Sequence, residues 1–296
     1  MVETKTTKVT LKNRTAQGTP LEAVFLPEKG MNMISYKRGE IEVIDQATFP
    51  LFEERFAGLG ALIGPHFHRR KTELIPEIPD ESLFPHIARV KAGGVQEPFS
   101  HGIGRYAPWK FEYSETHIEA QLSGDDLWEG VKLSTLEGQN FKMQFRCDLT
   151  PTGLKIDYSV VSDTDSVVGL HYYYALPKKT GKVHTRVQNK MLENGSKISL
   201  PWPMNDQNEV IIPLGESDID CTLFSFPHSR EGRMVLDAGD YRLEKRMQCR
   251  SAENSWQLYH PKNATFVCIE PISAQDPRHP NLTVSSIQIE IEIFSM

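Results

Sequence analysis

Two side chains stand at the ends of apolar segments, in positions that suit proton transfer. Glu270 follows the apolar run Thr265–Ile269 and precedes Pro271, so its carboxylate is held on a rigid element and is partly removed from water. Such desolvation raises the pKa of a carboxyl group and makes it a usable general base. His171 opens a segment of three tyrosines at 172–174, and histidine exchanges protons near neutral pH. These two residues are the candidates for acid–base chemistry.

Other polar residues have the chemistry to bind a ligand. His101 precedes Gly102, where the missing side chain allows a ligand or another backbone to approach closely. Arg69, Arg70 and Arg105 carry fork-shaped donors that suit hydroxyl, carboxylate or phosphate groups. Each candidate also has a structural interpretation: a strand-end carboxylate in a salt bridge, a histidine bonded to backbone or placed in a turn, or an arginine at the surface.

Alternation of apolar and polar residues predicts β-strands as the elements that position these groups. Every second residue is apolar in 141–149 and in 154–160, and Pro and Gly in the turn 150–153 permit a tight reversal, so the two segments form a hairpin. Residues 287–293 alternate in the same way and predict a last strand with one face in water. Convincing amphipathic helices are scarce, and 20 Gly and 19 Pro are spread along the chain. The pattern favours an all-β protein of many strands joined by turns.

Composition limits the class of protein. With 39% hydrophobic and 24% charged residues, the chain is typical of a globular protein with a buried core. We predict one domain over residues 1–296, with long loops at 72–100 and 201–220, although a domain boundary near either loop is an alternative. A net charge of −6 argues against nucleic-acid binding, which needs clustered positive charge. Neither a secretion signal nor a membrane-spanning run is found, so the expected location is cytoplasmic.

Four segments, taken in order along the chain, resemble the aldose 1-epimerase (galactose mutarotase-like) family. They are an arginine-bearing loop at 64–70, His-Gly at 101–102, a histidine opening an aromatic strand at 169–177, and a glutamate closing an apolar strand at 266–271. The spacing of His101, Gly102 and Arg105 is similar to the branch that acts on hexose 6-phosphates. The resemblance implies a large antiparallel β-sandwich, the galactose mutarotase-like supersandwich.

The resemblance also implies an activity, the interconversion of α and β anomers of a hexose or hexose 6-phosphate. In that chemistry Glu270 is the general base and takes the proton of the anomeric hydroxyl. Protonated His171 is the general acid and gives a proton to the ring oxygen, while His101 contacts the sugar near the reacting atoms. The ring opens, the aldehyde rotates, and the ring closes on its other face. Both steps are proton transfers, so no metal or redox cofactor is required.

The residues that would hold the sugar are also implied by the resemblance. Arg69 or Arg70 corresponds to the arginine that binds sugar hydroxyls. The family also uses an aspartate for hydroxyls, for which Asp220 is the candidate and Asp206 the alternative. The candidates for a phosphate pocket are Arg69, Arg70, Lys71, Arg89 and Arg105. The expected partner is therefore a small sugar or sugar phosphate, and the sequence carries no prediction of oligomeric state.

Two other functions fit parts of the sequence. Gly60, His66, His68 and Glu73 match the first half of a cupin metal-site pattern, and histidines at i and i+2 of a strand point the same way, as metal ligands must. The closing glycine of that pattern is absent, since Asp80 stands in its place, and no second half is found. The other alternative is a non-catalytic carbohydrate-binding protein on the same sandwich, because a fold does not fix a function. A pure binder needs no acid–base pair.

Overall fold

Antiparallel strands dominate the computed structural model, which describes residues 7–68 and 70–296. The strands are β1 (Val9–Arg14), β2 (Pro20–Leu26), β3 (Asn32–Arg38), β4 (Ile41–Glu42), β5 (Gly60–Ile63), β6 (Lys110–Tyr113), β7 (His117–Ser123), β8 (Leu127–Trp128), β9 (Val131–Lys132), β10 (Phe141–Thr150), β11 (Gly153–Ser162), β12 (Gly169–Ala175), β13 (Gly181–Glu193), β14 (Ser196–Ser199), β15 (Glu209–Leu214), β16 (Ile219–Ser225), β17 (Glu231–Asp237), β18 (Tyr241–Cys249), β19 (Ser255–His260), β20 (Phe266–Ile272) and β21 (Val284–Ser295).

Helices are few and short. The α-helices are α1 (Phe49–Arg55), α2 (Pro85–Ala92) and α3 (Leu133–Glu137), and single 3₁₀ turns lie at Pro27–Lys29, Gln46–Thr48, Thr72–Leu74, Glu81–Leu83 and Ile103–Arg105. Within the described residues, no helix has the length and apolar character needed to cross a membrane.

The strands form two layers that share one long strand. The first layer runs β1-β2-β3-β5-β12-β20-β19-β16-β13-β14, with β4 attached to β3. The second runs β6-β7-β10-β11-β21-β18-β17-β13-β15. All these pairings are antiparallel, and β13 pairs in the second layer through its first half and in the first layer through its second half. The predicted all-β antiparallel sandwich is confirmed.

The core lies between the two layers, where the alternating apolar residues meet. Phe25 of β2 packs edge-on against Phe145 of β10 with 6.0 Å between ring centroids. The hydroxyl of Tyr36 on β3 donates to the carbonyl of Ile291 on β21 at 3.0 Å. The predicted hairpin is β10–β11, whose register runs continuously to the turn at 150–153. The predicted last strand is β21, whose alternate isoleucines are buried.

The two predicted long loops contain more regular structure than their composition indicated. The segment 72–100 contains α2, which has Pro85 at its first position, where proline is tolerated, and buries Ile87 and Val90. The segment 201–220 contains β15 and the start of β16. Pro213 lies on β15 at an exposed position, and that proline concealed the alternation of a real strand. The loop prediction was therefore wrong for these parts.

Candidate active site

One register row across the first layer brings the principal polar side chains together. Gly169 pairs with Ile272, and Tyr173 pairs with Cys268. This register places His171 of β12 opposite Glu270 of β20. Gln257 of β19 pairs with Glu270 from the other side, and Thr222 of β16 pairs with Gln257. Side chains in one row of a sheet point to the same face. The four residues therefore form a line on the face turned away from the core.

His171 and Glu270 are close to each other and almost fully buried. The Nε2 of His171 lies 3.4 Å from Oε1 of Glu270, and the two side chains are 9% and 1% exposed. The imidazole stacks on the ring of Tyr173, with centroids 4.9 Å apart and planes 14° apart. Neither carboxylate oxygen of Glu270 has a hydrogen-bond partner among the described residues. A buried carboxylate without partners is costly, so this one is suited to receive hydrogen bonds from a ligand.

Burial moves the pKa values of this pair towards each other. It raises the pKa of Glu270 well above that of an ordinary carboxyl group, while the positive charges of Arg105 and Lys245 act in the opposite direction. Burial lowers the pKa of His171 well below that of an ordinary imidazole, and the charge of Arg105 adds to this. A carboxylate of raised pKa is a stronger base, and an imidazolium of lowered pKa is a stronger acid, so both shifts suit proton transfer.

His101 is held by backbone hydrogen bonds that fix its tautomer. The Nδ1 atom of His101 accepts a hydrogen bond from the backbone N–H of His68 at 3.2 Å. The backbone N–H of His101 donates to the carbonyl of His68 at 2.8 Å. An accepting Nδ1 leaves the ring proton on Nε2. Burial and then the charge of Arg105 lower the pKa of His101, so the ring is neutral. Its centroid lies 5.1 Å from that of His171, nearly perpendicular to it.

Arg105 supplies a buried positive charge to the same place. Its Nε donates to the carbonyl of Leu62 at 3.1 Å, which fixes the guanidinium on β5. Arg105 is 4% exposed, and its Nη2 atom has no hydrogen-bond partner among the described residues. A buried donor without a partner is unusual, so Arg105 is suited to bind an oxygen atom of a ligand.

These groups line a cavity of about 280 Å³. Five of the predicted site residues meet there: His101, Arg105, His171, Asp220 and Glu270. Asp220 accepts a hydrogen bond from the amide of Gln257 at 2.5 Å, and the amide oxygen of Gln257 accepts the hydroxyl of Thr222 at 2.7 Å. This chain fixes the orientation of the Asp220 carboxylate. Asp206, the alternative, is exposed and does not line the cavity.

The arginines of the first loop do not join this group. Arg69 lies outside the described residues. Arg70 forms two parallel hydrogen bonds with Glu97, each of 3.0 Å, and a third with the carbonyl of Glu137. Burial acts to raise the pKa of Glu97, but these contacts with Arg70 bring it below its ordinary value. Arg70 does not line the cavity, and its role in substrate binding stays a prediction.

The Arg70 ion pair gives a test of stability. Arg70→Met leaves the carboxylate of Glu97 buried and unpaired, so we expect the free energy of unfolding to fall by about 2 kcal/mol or more. Urea denaturation measures the change. Lys91→Met is the control, since Lys91 and Glu81 form a pair that is 39% and 44% exposed and contributes less than about 1 kcal/mol. Equal small effects of both substitutions would contradict a structural role for Arg70.

Several lining residues were missed by sequence reasoning. Gln257 lies between Trp256 and Leu258 on β19, where alternation predicts an exposed polar residue, yet it is 6% exposed. Arg55, Glu97, Tyr259 and Arg278 also line the cavity. They belong to segments that are distant in sequence, and nothing in their local patterns indicates a common site.

The cupin half-pattern does not come together in space. Nδ1 of His66 contacts Oε1 of Glu137 at 2.5 Å, while Glu73 is exposed in a separate 3₁₀ turn. Over 7–68 and 70–296, the group of side chains close enough to hold a metal ion is His171, Cys268 and Glu270, with ligand atoms within 4.8 Å of one another. It shares no residue with the half-pattern. The alternative of a metal site at that half-pattern therefore finds no support in the described residues.

Comparisons with known proteins define the fold. No family model matches the sequence, and no curated protein matches it. Among solved structures, the chain is similar to a galactose mutarotase-like protein from Lactobacillus casei, with a TM-score of 0.67, 13% identity, and 97% and 100% of the two chains covered. It is also similar to the aldose epimerase homologue from C. elegans, with a TM-score of 0.66, 14% identity, and 98% and 100% covered. The chain therefore has the galactose mutarotase-like β-sandwich fold.

Proposed function

We propose that the protein is an aldose 1-epimerase that interconverts the anomers of a hexose or a hexose 6-phosphate. The observation that carries this proposal is the facing pair of His171 and Glu270, 3.4 Å apart and buried, with carboxylate oxygens that have no hydrogen-bond partner among the described residues. The likeness of the fold to mutarotase-like structures supports the same reaction class.

The reaction runs as two proton transfers and their reversal. Ionised Glu270 accepts the proton of the anomeric hydroxyl while the His171 imidazolium donates a proton to the ring oxygen. The bond between the anomeric carbon and the ring oxygen breaks and gives the open-chain aldehyde. After the aldehyde rotates, neutral His171 removes the proton from the attacking hydroxyl and protonated Glu270 returns one to the carbonyl oxygen. The raised pKa of Glu270 and the lowered pKa of His171 both favour the first pair of transfers.

The remaining polar groups of the cavity hold and orient the sugar. Asp220 is an acceptor for sugar hydroxyls, and its position is fixed by Gln257. His101 is a neutral Nε2–H donor, and Arg105 is a charged donor. Charged partners give stronger hydrogen bonds than neutral ones, so Asp220 and Arg105 contribute most to sugar binding.

A phosphorylated substrate is supported by two further arginines of the cavity, Arg55 and Arg278. Guanidinium groups match the geometry of phosphate. We expect Arg278→Gln to raise KM for glucose 6-phosphate about tenfold, the loss of one charged hydrogen bond, and to leave KM for glucose unchanged. Arg89→Gln is the control, since Arg89 contacts the carbonyls of Glu53 and Glu54 and does not line the cavity. Equal effects on both sugars would contradict a phosphate-binding role.

Exchange NMR between the α and β anomers of glucose, galactose and glucose 6-phosphate tests the function. Exchange faster than in buffer for one of these sugars is the expected result. Sugar binding without faster exchange would refute the epimerase and identify a carbohydrate-binding protein.

A further inference from the structure

A lysine lies inside the core directly behind the candidate site. Lys245 on β18 is 0% exposed, and its Nζ donates to the carbonyl of Ile269 at 2.6 Å. The same Nζ lies 4.9 Å from the ring centroid of Tyr174 and 5.6 Å from that of Tyr172. Lysine is almost never fully buried, because its desolvation is costly. A favourable interaction at this position must therefore offset that cost.

Lys245 binds the first layer at a place where two strands are not paired. Strands β12 and β20 pair at Gly169 with Ile272, and pairing resumes at Tyr173 with Cys268. Among the described residues, those between these two pairs are not paired across the two strands. His171 and Glu270 occupy this gap. The carbonyl that accepts Lys245 belongs to the residue immediately before Glu270, so the lysine anchors the peptide that carries the candidate base.

The charges around Glu270 come from both faces of the sheet. On the cavity face are Arg105, Asp220 and His171, and on the core face is Lys245. The positions paired with Lys245 on β17 and β21 are the apolar Met234 and Ile291. Other titratable groups near Lys245 and Glu270 are Cys268 on β20 and Tyr172, Tyr173 and Tyr174 on β12.

We propose that Lys245 is a positioning residue for Glu270: from the core side it anchors the Ile269–Glu270 peptide, and its positive charge favours the ionised carboxylate. This inference rests on the role proposed for Glu270, but the coupling of the two groups can be measured without any activity. Burial lowers the pKa of Lys245 to about 7, while the charge of Glu270 acts to raise it. The lysine therefore carries its charge mainly below pH about 7.

Lys245→Met and Lys245→Gln separate the charge from the hydrogen bond. Glutamine keeps an N–H donor and removes the charge, whereas methionine removes both. Removing a positive charge raises the pKa of a nearby carboxyl group, so both variants should raise the pKa of Glu270 by about one pH unit. ¹³C NMR of labelled glutamate carboxyl groups measures it, with the signal assigned by its loss in Glu270→Gln. The acid limb of kcat/KM for anomer exchange should move to higher pH by the same amount.

Tyr241→Phe is the matched control. Tyr241 lies on the same strand and the same face, and its hydroxyl donates to the carbonyl of Ala175 at the end of β12 at 2.7 Å. Its loss removes a comparable buried hydrogen bond without removing charge, so the titration of Glu270 should not move. No shift in the Lys245 variants, or an equal shift in Tyr241→Phe, would overturn the proposal. If the wild type exchanges no anomers, the proposed function fails, yet the titration still decides the role of Lys245.

A reciprocal measurement needs no substitution of Lys245. Coupling between two binding equilibria is equal in both directions, so Glu270→Gln must lower the pKa of Lys245 by the same amount. The ¹³Cε signal of Lys245 reports that titration. A Lys245 pKa that is unchanged in Glu270→Gln would refute the coupling even if neither Lys245 variant folds.

Discussion

Glu270→Gln is expected to slow anomer exchange by about 10²–10⁴-fold, the usual contribution of a general base. The amide is nearly isosteric with the carboxyl group but cannot accept the proton of the anomeric hydroxyl. Because neither carboxylate oxygen of Glu270 has a hydrogen-bond partner among the described residues, the substitution breaks no internal hydrogen bond, and the fold should be retained. Exchange NMR at saturating sugar measures kcat, and thermal unfolding checks the fold.

Asp220→Asn is the comparison that separates proton transfer from binding. Asp220 lines the same cavity but lies on β16, away from the facing pair. We expect this substitution to raise KM more than it lowers kcat. A Glu270→Gln variant whose kcat stays within a few-fold of wild type would rule out Glu270 as the base, and the epimerase proposal would lose its main support.

Gly102→Ala is expected to lower the free energy of unfolding by about 3 kcal/mol or more and to abolish sugar binding. Gly102 has φ of 90°, and a Cβ there would lie 2.1 Å from the carbonyl oxygen of Gly64. That oxygen also accepts the N–H of Gly104 at 3.0 Å, so it is not free to move. The segments that carry Gly64 and Gly102 must therefore separate. His101, whose carbonyl accepts the N–H of Gly64, must move with them.

Gly94→Ala isolates the conformational part of this effect. Gly94 has φ of 80°, and a Cβ there would have no neighbour within 4 Å. Only the cost of a left-handed backbone remains, which is about 1 kcal/mol. Urea denaturation compares the two variants, and calorimetric titration with the preferred sugar reports binding. Similar losses in both variants would show that the contact between Gly102 and Gly64 does not hold the site together.

Strand positions were predictable from the sequence where one face of a strand is buried and the other is exposed. The hairpin β10–β11 and the strand β21 carry strict alternation, because burial of every second residue requires it. β12 and β20 are buried on both faces, so alternation is absent there. The candidate roles of His171 and Glu270 came instead from their chemistry at the ends of apolar runs and from a family resemblance.

The separation of Arg105 from Arg70 was not predictable from local sequence. Both arginines belong to loops, and either could reach a ligand. The difference is made by Glu97 and Glu137, which pair with Arg70 but are distant from it in the chain. The burial of Lys245 was not predicted for a related reason, since a lysine on an amphipathic strand ordinarily faces water. Its burial depends on the second layer facing the first, which only the fold defines.

The register row through His171, Glu270 and Gln257 has a consequence for the order of folding. β12 is joined to β5 and β20 by pairings between segments that lie far apart in the chain. Long-range pairings of this kind form slowly, because loop-closure entropy must be overcome before they stabilise the chain. The row exists only when all its strands have assembled, so a partly folded chain holds none of the cavity. Recovery of ligand binding during refolding is therefore expected only once the strands of this row have paired.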